Sequence, residues 1–300
     1  QDPYRAFQTR VGYALTHRFD NGWTVNQNLR WQEFSMTGQL ATNGALGADH
    51  RTLRRSAQDQ YWNGDTFTVD THAQRRFDTA LGEHTITVGT DYLRTRENAL
   101  QYNCTLASLD VYEPVYGSPI RCPATPRTQS ATTVRSVGVY LRDEMRLGER
   151  WRVVAGLRRD DAATYTDNHL DGSRGDNPSR ATTGSAAVMY EWLPGVRPYL
   201  SYASSFYPNS GTDANGNLFD PEKGSQWEAG MKIDLGDGST SLTVAAFDLR
   251  RRNVLQSDPV NDGFSIAVGE QRTRGFEAEL GADLRNGWSV QPPRRERIRL

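Results

Sequence analysis

The 300-residue sequence has no long hydrophobic run, almost no lysine and only 2 cysteines. No stretch approaches the ~20 apolar residues of a membrane-spanning helix, so spanning helices are excluded. Lysine and arginine total 35 against 36 aspartate and glutamate residues, which leaves no global positive field to attract nucleic acid. The first residues carry neither a basic segment nor an apolar one, and we expect no signal peptide in them.

The low apolar content does not exclude a membrane protein built of strands. Apolar residues make up 36% of the chain, and its mean hydropathy is −0.71. A strand of a membrane barrel spans with about 9–11 residues, and only every second one faces lipid. The 27 glycines, 13 tyrosines and 7 tryptophans also suit a β-rich chain, because glycine allows tight turns and aromatic rings favour membrane interfaces.

Large apolar side chains occupy every second position in residues 225–235 and 275–284, and less purely in residues 241–250. We expect one face to carry outward-pointing apolar side chains, among them Trp227, Met231, Ile233, Val244, Phe276 and Leu280. Glu277 and Glu279 lie on the opposite face, and unpaired carboxylates are too costly to bury in a dry core. One face must therefore contact water and the other a core or lipid. An outer-membrane β-barrel meets both requirements.

Short connections alternate with long ones along the chain. Short turns are predicted at residues 19–22, 81–82, 148–150, 193–196, 236–239 and 285–287. Long loops are predicted at residues 37–63, 98–132, 162–180, 207–224 and 256–263. This asymmetry is typical of a barrel with short periplasmic turns and long outer loops. The sequence therefore predicts an all-β, up-and-down antiparallel barrel of about a dozen strands, open or poorly closed, with unpaired edges.

The two cysteines, Cys104 and Cys122, lie in one long polar loop. A disulfide between them would close that loop, would stabilise the fold by ~3 kcal/mol in the chain-entropy account, and would require an oxidising compartment. The alternative is two free thiols in a cytosolic protein. Neither cysteine lies in a CxxC or histidine-rich setting, which favours the disulfide.

The last ten residues break the strand pattern. Residues 291–300 contain two prolines and four arginines, which cannot extend a lipid-facing strand. We predict a single barrel domain over residues 1–290 and an atypical basic tail over residues 291–300, which indicates a truncation or frameshift.

A series of motifs occurs in a fixed order in the second half of the chain. They include PYLSYASSFYP at residues 198–208, FDPEKG at 219–224, QWEAGMK at 226–232 and RGFEAE at 274–279, with GVYLRDE at 138–144 before them. In this order they resemble the barrel of TonB-dependent ferric-siderophore receptors of the ferrichrome-receptor type. The resemblance covers residues 1–290 and is most specific between residues 134 and 284.

The resemblance implies a 22-stranded barrel with a plugged lumen in the outer membrane of a Gram-negative bacterium. It implies a receptor, rather than an enzyme, that imports a ferric siderophore with energy from the TonB complex. The family's plug, its TonB-contacting segment and its last strands have no counterpart in these residues. The chain is therefore expected to be a central barrel fragment, in contact with outer-membrane lipid and inactive in transport alone.

A ferric siderophore arrives with its iron already held by chelator oxygens. We therefore expect no cofactor and no metal ligands from the protein, but aromatic and polar groups at the outer mouth. The candidates are Phe206 and Tyr207 at a strand end, Tyr61 and Trp62 at the end of the first long loop, and Tyr102, Tyr112 and Tyr116 in the cysteine-containing loop. Phe206 has the strongest case because it lies in a family motif at the strand end that faces the mouth, yet it fits an interfacial aromatic girdle equally well. For the loop tyrosines the alternative is packing of the loop on itself.

Two other functions stay open at this point. The first is an outer-membrane barrel hydrolase of the phospholipase or protease type, whose smaller barrel would match the strand count. It needs a histidine beside a nucleophile at the outer rim, whereas His72 and His84 lie near a short connection. The second is a soluble β-rich binding protein such as a lectin-like sandwich, which would stay soluble without detergent.

Overall fold

The computed structural model describes residues 4–235, 239–261, 264–283 and 289–290, which form one antiparallel sheet. Its strands are β1 Tyr4–Arg18, β2 Trp23–Leu46, β3 Thr52–Thr79, β4 Gly82–Thr105, β5 Leu109–Asp110, β6 Thr128–Leu147, β7 Trp151–Asn168, β8 Arg174–Tyr190, β9 Val196–Tyr207, β10 Glu222–Leu235, β11 Thr240–Ser257, β12 Ser265–Asp283 and β13 Ser289–Val290. The strands pair in sequence order except β5, which pairs with β3 alone and leaves β4 beside β6. Within the described ranges no pairing joins β1 to β13, so the sheet is open, as predicted.

No helix in the described part of the chain is long and apolar enough to cross a membrane.

The two faces of the sheet differ as the alternation predicts. Met231 pairs with Val244, and Leu242 pairs with Leu280, so the apolar residues of three strands share one face. Trp227 and Phe276 on this apolar face are 54% and 91% exposed. The buried apolar residues among those described are small apart from one phenylalanine, Phe219. Without a core to cover it, this face needs lipid as its solvent.

Glu277 and Glu279 pair with Ala245 and Thr243, at positions opposite in parity to Phe276. They therefore lie on the polar face, and the predicted register is confirmed. A shift of one residue would have turned both carboxylates toward lipid.

The predicted long loops are only partly loops. Residues 37–63 are mostly strand, because β2 continues to Leu46 and β3 begins at Thr52. Residues 162–180 likewise belong largely to β7 and β8. These loop predictions were wrong for a physical reason: backbone groups make the ladder, and polar side chains are no obstacle to it where strands stand in water beyond the bilayer.

Two predicted loops are confirmed. One lies between the end of β9 and the start of β10, and the other separates β11 from β12. The predicted turn at 285–287, most of the turn at 236–239 and the tail at 291–300 lie outside the described residues.

A side chain closes the turn between β2 and β3. The Asp49 carboxylate accepts hydrogen bonds from the backbone N–H groups of Arg51 at 3.1 Å and Thr52 at 3.0 Å. It also accepts a hydrogen bond of 2.6 Å from the hydroxyl of Thr52. These bonds, the Thr52 hydroxyl first among them, lower the pKa of Asp49 from 3.8 to about 2. The turn is therefore held by an ionised carboxylate.

Acid should open this turn. The pKa of Asp49 is lower in the folded chain than its ordinary value of 3.8, so its bonds stabilise the turn above that pH and are lost as pH falls through about 2. We expect the amide proton shifts of Arg51 and Thr52 to titrate with a midpoint near that pKa. The same shifts should stay flat in Asp49→Asn, and a midpoint at the ordinary aspartate value in the unsubstituted chain would contradict the assignment.

The two cysteines form a disulfide between the end of β4 and the following loop. The Cα atoms of Cys104 and Cys122 are 4.1 Å apart, and Cys104 is buried. Beside them Thr105 and Arg121 exchange two backbone hydrogen bonds of 2.8 and 3.1 Å. The predicted disulfide is thus confirmed, and it fastens the loop to the rim of the sheet.

Thiol labelling checks this bond. We expect the denatured, non-reduced chain to take up no maleimide and the reduced chain to take up two labels per molecule, because both sulfurs are bonded to each other. Cys104→Ser should expose one reactive thiol at Cys122. Two labels on the non-reduced wild-type chain would contradict the bond.

Candidate functional site

An ionic cluster occupies the middle of the polar face. The guanidinium of Arg158 on β7 donates to Asp91 at 2.9 Å and to Asp160 at 2.9 Å. Tyr140 on β6 donates its hydroxyl to Asp70 at 2.7 Å, and the Arg158 guanidinium lies 5.8 Å from the Tyr140 ring. Asp160 is buried, at 6% exposure. Four strands thereby contribute to one group joined by hydrogen bonds and by the cation–ring contact, which we call the ionic cluster, and two carboxylates bind its cation.

A cavity of about 870 Å³ lies beside the ionic cluster on the same face. Its walls are Leu93, Thr95, Glu97, Thr132, Val134, Ser136, Arg158, Asp160, Thr164, Thr183, the run Ser204, Ser205, Phe206, Tyr207, Pro208, Asn209 and Ser210, and Leu255. The volume falls within the ~300–1,000 Å³ of small-molecule sites. The hydroxyl of Thr164, a residue only 3% exposed, has no hydrogen-bond partner. The cavity lining thus offers hydroxyls, two aromatic rings and few charges. It suits a ligand whose surface is polar but uncharged.

The loop between β9 and β10 is anchored by asparagine side chains. The amide nitrogen of Asn177 on β8 donates to the backbone carbonyls of Asn209 at 3.0 Å and Phe219 at 3.2 Å. The amide nitrogen of Asn209 donates to the carbonyls of Asp220 at 2.7 Å and Asn253 at 2.9 Å. Asn177 and Asn209 are both buried. We call these two asparagines, together with Asn253 on β11, the asparagine clamp. The clamp fixes the loop that forms part of the cavity wall.

The clamp has a third member on β11. Asn253 has a φ of 58°, in the left-handed region that asparagine tolerates better than most residues. Its amide nitrogen donates to the carbonyl of Pro221 at 3.0 Å, and its own carbonyl accepts the bond from Asn209. The loop is therefore tied to the strands on both of its sides.

The structure separates the seven predicted ligand-binding residues. Phe206 and Tyr207 line the cavity, the first half-buried and the second 67% exposed. The remaining five, Tyr61, Trp62, Tyr102, Tyr112 and Tyr116, lie outside it. Tyr61 and Trp62 belong to β3 rather than to a loop end, and Tyr102 belongs to β4. Tyr112 and Tyr116 are exposed in the cysteine-containing loop.

Sequence reasoning missed the polar part of the cavity wall. Arg158 and Asp160 alternate with Leu157 and Arg159 in β7, so the period of two would have placed them on the polar face. Nothing in the sequence indicates that Arg158 meets Asp91, a residue 67 positions away. The asparagine clamp is equally remote, since it joins residues of three separate elements.

An open antiparallel wall with a lipid-requiring face and a cavity on its polar face defines a class: part of an outer-membrane β-barrel. The family model described as TonB dependent receptor-like, beta-barrel, matches residues 1–293. This chain belongs to that family, whose members are outer-membrane proteins of Gram-negative bacteria.

Individual relatives are receptors and transporters. The chain is 31% identical over 291 residues to the ferrioxamine B receptor of Salmonella typhimurium, covering 97% of this chain and 41% of that protein. It is 30% identical over 306 residues to the ferrichrome outer membrane transporter/phage receptor of Escherichia coli K12, covering 94% and 41%. The chain thus spans about two fifths of the length of these relatives.

The fold matches solved structures of the same class. The siderophore receptor PiuA from Acinetobacter baumannii superposes with a TM-score of 0.81 at 22% identity, over 96% of this chain and 46% of that one. The ferric-catecholate import receptor Fiu from Escherichia coli K12 gives 0.80 at 18% identity, over 96% and 46%. At these identities the likeness shows the fold, and it confirms the predicted partial barrel.

Removal of the central clamp residue should free the loop. Asn209→Ala removes the amide that donates to the carbonyls of Asp220 and Asn253, and the loss of the two hydrogen bonds costs on the order of 1–3 kcal/mol. We expect faster hydrogen exchange and easier proteolysis in residues 208–221 while the ladders of β8 and β10 keep their protection. Ser210→Ala, an exposed change in the same loop, should leave both measurements unaltered. Equal loop protection in the two variants would show that the clamp does not hold the loop.

Proposed function

We propose that this chain forms part of the ligand-binding wall of a receptor that imports ferric siderophores across the outer membrane, energised through TonB. The observation that carries the proposal is the cavity on the polar face, with Tyr207 on that face and Phe206, which has the opposite parity in β9, at its edge. Membership of the TonB-dependent receptor family supports it, as do relatives that are receptors for ferrioxamine B and ferrichrome. Contact with outer-membrane lipid along the apolar face and with the TonB complex belongs to the same proposal.

The chemistry of the cavity suits a chelate rather than a bare metal ion. The iron of a ferric siderophore is already coordinated, so the wall needs surfaces for the organic shell and no resident cofactor. Aromatic rings supply contact area, and threonine and serine hydroxyls supply hydrogen bonds. Thr164 offers an unpartnered hydroxyl for such a bond.

The charges of the cavity lining indicate which net charge the bound chelate carries. Among the described residues that line the cavity Arg158 is the only cation, and two carboxylates already bind it. Glu97 adds a further negative charge to the lining. A highly anionic chelate would be repelled by the carboxylates here, whereas a neutral or cationic ferric hydroxamate would not be repelled. We infer that the ligand belongs to the latter group.

The alternative functions gain no support. His72 and His84 each bond to an aspartate, Asp70 and Asp143, at 2.8 Å, which orients the ring but supplies no nucleophile. The relatives are receptors rather than enzymes, which favours a non-enzymatic role. A soluble sandwich would bury its apolar faces, whereas Phe276 is almost fully exposed.

Phe206 provides the sharpest test. In a receptor polypeptide that carries this segment together with a plug domain, Phe206→Ala should weaken binding of a neutral ferric trishydroxamate by about 1–3 kcal/mol, the range for a buried contact aromatic. Fluorescence quenching measures the affinity, and circular dichroism verifies that the barrel is intact, because a rim residue contributes little to the ladder. Unchanged affinity would return Phe206 to the aromatic girdle.

Two controls sharpen this experiment. Phe276→Ala removes an equal ring from the apolar face and should leave affinity unaltered, since that ring is not part of the cavity lining. The 300-residue chain without a plug should bind weakly or not at all, because it supplies only one wall of the site.

A further inference from the structure

A half-buried carboxylate at the edge of the cavity has no partner among the described residues. Glu97 on β4 lines the cavity, yet no described residue forms an ion pair or a side-chain hydrogen bond with it. Arg158, the cation among the described lining residues, is bound by Asp91 and Asp160 instead. A carboxylate that is partly removed from water favours a cation as its partner, because a charge without one is costly to desolvate.

The register places two aromatic rings beside Glu97 on the polar face. Glu97 pairs with Gly64 of β3, and Gly64 pairs in turn with Phe34 of β2. Trp62 is the next residue of β3 on the same face, because side chains alternate along a strand. We call Glu97, Phe34 and Trp62 the acidic–aromatic group.

Gly64 brings the ring of Phe34 toward the carboxylate. A Cβ atom at Gly64 would stand 3.0 Å from Cε1 of Phe34 and 3.1 Å from the Cα of Glu97. The Phe34 ring therefore extends over the glycine, in space that any other residue would fill. The ring and the Glu97 side chain consequently approach each other across a strand that places no side chain between them.

The acidic–aromatic group stands at the outer mouth. Strand β4 begins at Gly82, and about 9–11 residues are enough to span a bilayer, so Glu97 lies beyond the membrane. Asp91, which belongs to the ionic cluster, lies closer to the start of the same strand. A ligand that enters from outside therefore reaches Glu97 before it reaches the ionic cluster.

A carboxylate beside aromatic rings matches an organic ammonium ion. The carboxylate supplies negative charge and accepts charge-assisted hydrogen bonds, and the faces of the rings attract a cation. A metal ion would require several ligands, and the described residues contain no group of three His, Cys, Asp or Glu side chains that could hold one. An ammonium ion needs only one carboxylate and the rings.

We propose that Glu97, with Phe34 and Trp62, binds a primary ammonium group of the ferric chelate and so selects chelates that carry a terminal amine. The inference rests on the proposed function, because the body of the chelate must occupy the cavity while its amine reaches Glu97. The hydroxyls and rings of the cavity hold the body of the chelate, and the acidic–aromatic group adds selectivity for its charge.

Two chelates that differ only at the amine test the proposal. One is a ferric trishydroxamate with a free terminal amine, and the other is the same chelate with that amine acetylated and therefore neutral. In a receptor polypeptide that carries this segment together with a plug domain, fluorescence quenching should show about tenfold tighter binding of the amine form. Added salt should reduce this preference. Glu97→Gln should abolish it by weakening the amine form alone, because glutamine keeps the size of the side chain and removes its charge.

Two further variants separate the ring from the charge. Phe34→Leu should reduce the preference about threefold, because it removes a ring face and keeps apolar bulk. Glu144→Gln removes a carboxylate from the same face of the sheet, outside the cavity lining, and should leave the preference unchanged.

Equal affinities of the two chelates in the wild type, or an undiminished preference in Glu97→Gln, would overturn the inference and leave the proposed receptor function standing. Equal weakening of both chelates by Glu97→Gln would also overturn it, since the carboxylate would then pair with a cation of the plug domain or shape the cavity. If the wild type bound neither chelate, the proposed function would fail and the inference with it.

Discussion

The structure depends on one constraint: a strand in lipid must satisfy its backbone hydrogen bonds through neighbouring strands, because hydrocarbon offers no partners. Pairing in sequence order meets this requirement and fixes the register of every long strand described. The register then decides which side chains meet lipid and which meet water. A slip of one residue in β7 would turn Arg158 and Asp160 into the bilayer and Leu157 into the lumen. Secondary structure and site geometry are thus set by one ladder.

The same ladder builds the outer mouth. Strand β3 has 28 residues, whereas about 9–11 are enough to span a bilayer, so much of it stands beyond the membrane. The ionic cluster and most of the cavity wall are consequently mounted on paired strands rather than on free loops. Sites on such elements are held more precisely than sites on loops. The segment between β9 and β10 is a true loop, and the asparagine clamp ties it to both sides.

The period of two in residues 225–284 was sufficient to predict the faces of β10 to β12, because alternation is a local property. The motifs around Phe206 were sufficient to indicate the family. Strand ends were missed at residues 37–63 because polar composition says little about backbone pairing above the membrane. The bonds from Arg158 to Asp91 and from Asn177 to Asn209 were beyond reach, since they join strands whose relative height is set by the whole sheet. Aromatic content alone also predicted five ligand-binding residues that lie outside the cavity.

The short ladder between β8 and β9 has a mechanical consequence. Backbone pairs resist shear in proportion to their number, and this junction has pairs only from Ser185 to Met189, whereas β3 and β4 pair along almost their full length. Under load the sheet would therefore bend most easily at the junction between β8 and β9. Bending at that junction is opposed by the asparagine clamp, because Asn177 on β8 bonds to the loop that follows β9, so the clamp holds the width of the mouth where the backbone ladder is short.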